Sequence, residues 1–480
     1  MKKDTSKPEG VQADNKEKSA GVLLQEKLLM KPENMGETLS DKEIADAFAF
    51  CEDYKKFLNA CKTEREAVNY TIALLKKKGY SEFVAGKKYK AGDKVYKNNR
   101  GKALIMSTFG TQPITEGVHI AVSHIDSPRL DFKPRPLFEE AQLAYFKTHY
   151  YGGIKKYQWT AIPLSLHGVI IKKDGTTVDV VIGEDPADPI FCVTDLLPHL
   201  AADQMKQTMA EGIKGEQLNI LIGCMPFKDD KASEKVKLNI ANLLFEKYGI
   251  VESDFLSAEL CAVPAFGAQD VGFDRGLVGS YGHDDRVCAY PSLMAELTAK
   301  KPLHTTVTIF ADKEETGSDG NTGMASMFLR DYIEDLAQLE GAQVRHVLEK
   351  SKCLSSDVNV AFDPAFSEVT ERKNTAYINY GVVLTKYTGA RGKGGTNDAS
   401  AETMGYFRKL MDDAGVVWQT GELGKVDQGG GGTVAKYVSY HNVDTVDLGV
   451  PVLSMHAPFE VVSKCDVYMT YKAIEAFYAK

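Results

Sequence analysis

Three segments of the chain share one design: a short apolar and β-branched run stops abruptly at histidine or carboxylate side chains. They are GVHIAVSHIDSPRL, HTTVTIFADKEETGSDG and LGVPVLSMHAPFE, at residues 117–130, 304–320 and 448–460. Runs of this length and composition predict β-strands. In an open α/β sheet, ligands bind in the crevice beyond the carboxyl ends of the strands. The repeated pattern therefore predicts an α/β fold with a polar site at one edge of its sheet.

Helical segments between these strands complete the fold class. Residues 40–80 are predicted to be helical, because Ser40 and Glu43 form a capping box and apolar residues follow at helical spacing. Further helices are predicted within 287–299 and 322–338. Strands that alternate with helices indicate a sheet with helices on its faces.

The middle of the chain has a different pattern. Residues 165–183 contain two β-branched runs around Lys-Asp-Gly, which predicts a hairpin. Proline-rich breaks flank this region, and we predict that 135–270 is a β-rich domain inserted into an α/β domain formed by 36–134 and 271–480. The polar residues 1–35 are predicted to be a flexible tail rather than a fold element.

Charge and cysteine usage exclude several classes of partner. The net charge of −8 over 480 residues argues against nucleic acid or an anionic membrane surface. No apolar run is long enough to span a bilayer, and the charged N-terminus lacks the apolar region of a secretory signal. The eight cysteines include no C-x-x-C pair, which is typical of reduced thiols. A cytoplasmic location is therefore expected.

Several candidate ligands occur near the predicted strand ends, and each alone has an ordinary explanation. His124 and Asp126 lie two residues apart in an extended run, so their side chains share a face. Asp284 precedes a helical run, where the helix dipole favours acids. Asp357 follows serine in a turn-like context, just before an apolar run, and His456 follows an apolar strand. These side chains point to a functional site only if they converge in one crevice.

As a set, these residues are nitrogen and oxygen donors without cysteine, which suits zinc, cobalt or manganese. The charges favour two ions rather than one. If Asp284, Glu315 and Asp357 bind metal, three negative charges and a bridging hydroxide neutralise two divalent cations. The sequence therefore predicts a dinuclear centre.

The adjacent glutamates at 314 and 315 are explained by such a centre. Glu315 can bind a metal while Glu314 serves as a general base toward the attacking water. The nearby cations make the repulsion between adjacent carboxylates tolerable. A base beside a dinuclear centre indicates hydrolysis.

The ordered set H-x-D, D-D-R, E-E, S-x-D and S-M-H resembles the aspartyl aminopeptidase family of dinuclear zinc metallo-exopeptidases. The resemblance covers nearly the whole chain after the N-terminal segment and includes SHIDSPRLDFKP, YGGIKKYQWT, LLPHLA and SMHAPFE. It implies a zinc-exopeptidase (phosphorylase/hydrolase-like) mixed sheet flanked by helices, with an inserted β-rich dimerisation domain. It also implies homo-oligomers, in which dimers assemble into a tetrahedral dodecamer.

The resemblance also implies a ligand set for two Zn²⁺ ions per subunit, for which Co²⁺ or Mn²⁺ can substitute. His124, Asp284 and Asp357 would hold one ion. Asp284 would bridge to the second ion, which Glu315 and His456 would complete.

Three further residues acquire roles by the same resemblance. Asp126 would orient His124, and Glu314 would be the general base. His199 in LPHLA matches a family histidine that enters the active site of a neighbouring subunit. Basic side chains on a glycine-rich loop are candidate substrate-binding residues with a preference for acidic substrates: Lys386, Arg391 and Lys393.

The leading hypothesis is a metal-dependent aminopeptidase that releases N-terminal residues, Asp or Glu among them, from peptides by attack of a metal-bridging hydroxide. One alternative is an N-acyl amino acid deacylase that uses the same dinuclear site. Another is a peptide-binding scaffold without catalysis. The scaffold is disfavoured, because every position of the site holds a chemically competent residue.

Overall fold

A computed structural model describes residues 18–480. The helices are α1 Ala20–Leu28, α2 Met35–Thr38, α3 Asp41–Ala60, α4 Glu64–Lys77, α5 Lys235–Tyr248, α6 His283–Thr298, α7 Phe328–Gln338, α8 Val344–Lys350, α9 Ala401–Ala414, α10 Ala435–Ser439 and α11 Lys464–Tyr478. The strands are β1 Ser81–Glu82, β2 Lys94–Asn99, β3 Ala103–Thr108, β4 His119–His124, β5 Arg129–Glu140, β6 Leu143–Tyr151, β7 Leu164–Ile171, β8 Thr177–Ile182, β9 Cys192–Val193, β10 Ile220–Gly223, β11 Ala258–Pro264, β12 Gln269–Val271, β13 Leu277–Ser280, β14 Thr306–Ala311, β15 Lys352–Ser355, β16 Asn359–Val360, β17 Val382–Thr385, β18 Trp418–Thr420, β19 Asp444–Gly449, β20 Pro451–Val452 and β21 Glu460–Ser463.

A nine-stranded mixed sheet organises the larger part of the chain, in the order β1-β2-β3-β14-β4-β15-β19-β17-β18. Its four central strands, β14, β4, β15 and β19, are parallel neighbours. These strands are buried almost throughout, as expected for parallel strands covered on both faces. Their carboxyl ends consequently meet along one edge of the sheet.

Helices cover both faces of this sheet. On one face, α3, α4, α6, α9 and α11 pack apolar side chains against the strands. On the other face, α7, α8 and α10 do the same. The predicted α/β fold, a mixed sheet flanked by helices, is confirmed.

A second, seven-stranded sheet is built from the middle of the chain, in the order β8-β7-β11-β5-β6-β10-β9. Its paired strands are antiparallel, and α5 packs on it around a separate apolar core. The predicted hairpin is confirmed: β7 and β8 pair, and a turn at Lys172–Thr176 joins them. The strands of this sheet lie within 129–264, and the domain bounds at 135 and 270 stay a prediction.

Local differences from the sequence prediction have simple causes. The helical segment 40–80 is two helices, because a second capping box at Thr63 and Glu66 starts α4. The capping box of Ser40 and Glu43 is present as predicted. Within the predicted tail, residues 1–17 lie outside the described residues. Residues 20–28 of that tail form α1, whose side chains are all exposed.

Two further observations concern the described part of the chain. Between residues 18 and 480, none of the helices combines the length and apolar character needed to cross a membrane. All eight cysteines are free thiols. The free thiols agree with the expectation from their scattered positions.

Candidate metal centre

Three neighbouring parallel strands deliver the first part of the site. His124 is the last residue of β4, and Asp357 lies two residues after β15. Glu314 and Glu315 follow β14 in a single 3-10 turn. Asp357 precedes an apolar run that contains β16, as the sequence indicates, and it also follows the end of a strand like the others. The side chains converge because these strand ends are adjacent.

Asp284 and His456 reach the site from outside the parallel strands. Asp284 is the second residue of α6, two residues after the N-cap Gly282, whose φ is +74°. A Cβ atom on Gly282 would lie 1.8 Å from Nη1 of Arg286, so only glycine fits at this entry to the helix. His456 lies in the turn between β20 and β21 and has a φ of +65°.

Asp284 stands between the two histidines. Its Oδ1 is 3.0 Å from Nε2 of His124, and its Oδ2 is 3.2 Å from Nε2 of His456. On one side Asp357 completes a group, with Oδ1 at 3.8 Å from Nε2 of His124. On the other side Glu315 completes a group, with Oε2 at 3.5 Å from Nε2 of His456. In each group the potential ligand atoms all lie within 4.8 Å of one another.

Both histidines present the same ring nitrogen to this space. Nδ1 of His124 lies 3.1 Å from the carbonyl oxygen of Asp126, and Nδ1 of His456 lies 2.7 Å from that of Gly153. A carbonyl oxygen accepts, so Nδ1–H donates in both rings, and Nε2 is the nitrogen that can bind a metal once its proton is lost. This is the arrangement in which an outer hydrogen bond fixes a metal-binding histidine.

Asp126 holds several parts of the site together. Its Oδ1 lies 3.3 Å from Nδ1 of His124 and accepts the backbone N–H of Glu314 at 3.2 Å. Its Oδ2 accepts the backbone N–H of Glu315 at 3.2 Å and the hydroxyl of Tyr151 at 2.7 Å. One buried carboxylate thus fixes a histidine ring and the backbone of both glutamates.

The electrostatics of the site favour a bound cation. Burial raises the pKa of Glu315 and of Asp357 well above their usual values, and the Asp284 carboxylate raises both further. Oε1 of Glu315 is buried and has no hydrogen-bond partner within residues 18–480. Buried carboxylates without partners are costly, and a divalent cation relieves that cost. The donor set therefore fits bound metal.

The two adjacent glutamates differ in their surroundings. The Glu315 side chain is 3% exposed and faces His456. The Glu314 side chain is 19% exposed, and its Oε2 lies 3.9 Å from Nε2 of His124. Burial raises the pKa of Glu314 to about 7, against the opposing effect of His124. The more open carboxylate is the one available to solvent and substrate.

The other predicted site residues have different surroundings. His199 is exposed in a 3-10 turn at Pro198–Leu200 of the second sheet's domain. Lys386 and Lys393 both pair with Asp398. Arg391 borders a cavity of about 140 Å³ with Tyr387 and Lys425, among others. Among the described residues, none of these side chains has a hydrogen bond or ion pair to a candidate ligand.

Four residues at the site were missed from the sequence. Asp285 accepts the backbone N–H of His124 at 3.2 Å, and Tyr151 donates to Asp126. The carbonyl of Gly153 fixes the His456 ring, and Glu460 accepts two backbone N–H groups. Tyr151 and Gly153 lie at the start of YGGIKKYQWT, and Glu460 ends SMHAPFE. Their partners are mostly main-chain atoms, which sequence patterns do not display.

A mixed α/β sheet with a histidine and carboxylate cluster at the ends of its parallel strands defines the class of metal-dependent hydrolases. The family model described as "Aminopeptidase I zinc metalloprotease (M18)" matches residues 57–478. The chain belongs to this M18 family of aminopeptidases. The predicted family resemblance is thereby confirmed.

Individual relatives agree with that assignment. A "Probable M18 family aminopeptidase 1" from Clostridium acetobutylicum is 49% identical over 458 residues, which are 94% of this chain and 98% of the relative. The crystal structure of an M18 aminopeptidase from Thermotoga maritima has a TM-score of 0.90 and 43% identity, covering 94% of this chain and 100% of that chain. The mApe1 dodecamer from S. cerevisiae, 20% identical, shares the fold with a TM-score of 0.72, over 91% of this chain and 97% of that chain.

Proposed function

We propose that this chain is an aminopeptidase with two Zn²⁺ ions per subunit, for which Co²⁺ or Mn²⁺ can substitute. The observation that carries the proposal is the position of Asp284, whose two carboxylate oxygens each face a different histidine Nε2. His124 and Asp357 complete one ligand group, and Glu315 and His456 complete the other. Three carboxylates and two neutral imidazoles leave a net charge that two divalent ions and one hydroxide balance.

Glu314 is proposed to be the general base. Two divalent ions at the proposed sites would acidify water and polarise the scissile carbonyl. The backbone N–H of Glu314 is bound to Asp126, which fixes the residue beside His124. From there the carboxylate takes a proton from the attacking water and returns it to the leaving amine. Asp126 is proposed to orient His124 and the turn that carries both glutamates.

The substrate is proposed to be a peptide with a free N-terminus. The alternative, an N-acyl amino acid deacylase, requires instead a substrate whose amino group is acylated. We expect an aminoacyl-anilide to be hydrolysed in the presence of zinc, cobalt or manganese, and its N-acetylated counterpart to remain intact. Release of the aniline is followed spectroscopically, and release of acetate is measured for the N-acetylated compound. Release of acetate from the N-acetylated compound, with no aniline from the free-amino compound, would favour the deacylase over the aminopeptidase.

The same assay decides the acidic preference. Of the three predicted basic residues, Lys386 and Lys393 share Asp398 as their partner, so Arg391 is proposed to be the one that pairs with a substrate carboxylate. We expect Asp- and Glu-anilides to be hydrolysed faster than Leu- and Lys-anilides. A faster rate on Leu or Lys would remove the acidic preference and leave the aminopeptidase proposal intact.

The proposed assembly is a homo-oligomer in which the second sheet's domain forms dimers, arranged as a tetrahedral dodecamer. The shared fold with the dodecameric mApe1 of S. cerevisiae supports it. So do apolar side chains exposed on that domain, at Leu197, Leu200, Met205 and Met209. A cytoplasmic location is proposed because all eight cysteines are free thiols.

A further inference from the structure

We infer that Glu460 is a positioning residue that joins the backbones of Asp284 and His456 and thereby sets the affinity of the metal centre. This inference rests on the proposed function, since it concerns two of the proposed ligands. Glu460 is the first residue of β21 and is 1% exposed. It is not itself within either group of potential ligand atoms.

The contacts of the Glu460 carboxylate reach two distant parts of the chain. Oε1 accepts the backbone N–H of His456 at 2.7 Å. Oε2 accepts the backbone N–H of Asp284 at 3.1 Å. Each oxygen therefore holds one ligand-bearing residue, and the two residues face each other across 3.2 Å through their side chains.

The backbone around His456 needs such support. Ser454 and His456 have φ values of +57° and +65°, a region that residues with a Cβ rarely occupy. Such conformations persist only when the surroundings fix them. The hydrogen bond from the His456 N–H to Glu460 fixes the main chain of this turn, while Gly153 fixes the ring.

The backbone at the start of α6 also needs a hydrogen-bond partner from outside the helix. Asp284 lies in the first turn of α6, where backbone N–H groups have no partner within the helix. Glu460 accepts one of these N–H groups. A carboxylate that accepts both N–H groups at once sets the spacing between the two ligand backbones, as an outer-shell partner does for a metal ligand.

Two substitutions of Glu460 separate the effect of its geometry from the effect of its charge. Glu460→Gln keeps the shape, but its amide nitrogen cannot accept, so one of the two N–H groups loses its partner. Glu460→Asp keeps the charge and is shorter by one methylene, so it cannot span both N–H groups in their present positions. We expect each variant to bind at least one of two zinc equivalents about 10- to 100-fold more weakly than the parent protein.

The test is titration of the metal-free full-length protein with zinc against a chromophoric chelator. The matched control is Asp466→Asn: Asp466 is also fully buried and accepts the backbone N–H groups of Asn379 and Gly381, at 2.7 and 2.8 Å. It holds no candidate ligand. We expect this control to lower the melting temperature and to keep the parent protein's two zinc affinities.

The possible outcomes are distinct. Parental zinc affinities in both Glu460→Gln and Glu460→Asp would overturn the inference while leaving the proposed function in place. An equal loss of affinity in Asp466→Asn would also overturn it, because the effect would then be a general loosening of the fold. Fewer than two zinc equivalents in the parent protein would overturn the proposed function and this inference together.

Discussion

Glu314→Gln is expected to lower kcat by about two to four decades while the protein keeps its metal. The substitution preserves the size of the side chain and removes only its ability to accept a proton. The Glu314 carboxylate is the more exposed of the adjacent pair, and its backbone is bound to Asp126 in a way that glutamine does not disturb. Turnover of an aminoacyl-anilide and metal analysis of the same preparation measure the two properties.

Glu315→Ala is the paired variant, with the opposite expectation for metal. Its carboxylate is 3% exposed and lies 3.5 Å from Nε2 of His456, so its loss removes a proposed ligand. Metal content is expected to fall, and excess zinc is expected to restore part of the activity. If both variants lose metal to the same extent, or both keep it, the division of roles between the two glutamates is wrong.

His199→Ala is expected to lower kcat by about two to three decades, the cost of removing a donor that stabilises a developing oxyanion. Within residues 18–480 His199 is exposed and has no hydrogen bond or ion pair to a candidate ligand, and the family resemblance places the matching histidine in the active site of a neighbouring subunit. The expectation therefore requires that His199 acts in the cleft of a partner subunit.

Complementation tests that requirement. Inactive His199→Ala and inactive Glu314→Gln subunits are mixed under conditions that allow exchange, with differently tagged chains to prove it. A shared site regains activity, because some clefts receive Glu314 from one chain and His199 from the other. Homo-oligomers of each variant, taken through the same exchange, are the controls. No recovery despite proven exchange would place His199 outside a shared active site.

The sequence predicted the parts of the site that follow from strand periodicity. His124, Glu314 and Glu315 were found because apolar runs stop at them, and adjacent parallel strands bring such ends together. Asp357 was recognised only as the residue before an apolar run, because the preceding strand, β15, is only four residues long and begins with a lysine. So short a strand carries too little periodicity to be recognised from the sequence.

The residues that the sequence missed act through the backbone. Asp285 and Glu460 accept main-chain N–H groups, and Gly153 offers a carbonyl to His456. Such contacts join segments up to about 300 positions apart, as with Gly153 and His456. Which main-chain groups lack a local partner depends on helix starts and turns in the folded chain. No pattern of side-chain types encodes that arrangement.

Metal stoichiometry is the most direct measurement of the central proposal, a centre that would hold two metal ions in two ligand groups that share Asp284. The protein is saturated with zinc, dialysed against metal-free buffer and analysed for zinc per chain. We predict about two equivalents, and the loss of at least one in His456→Ala, which keeps the ligands of the other group. A single tightly bound ion in a fully active enzyme would contradict the dinuclear account.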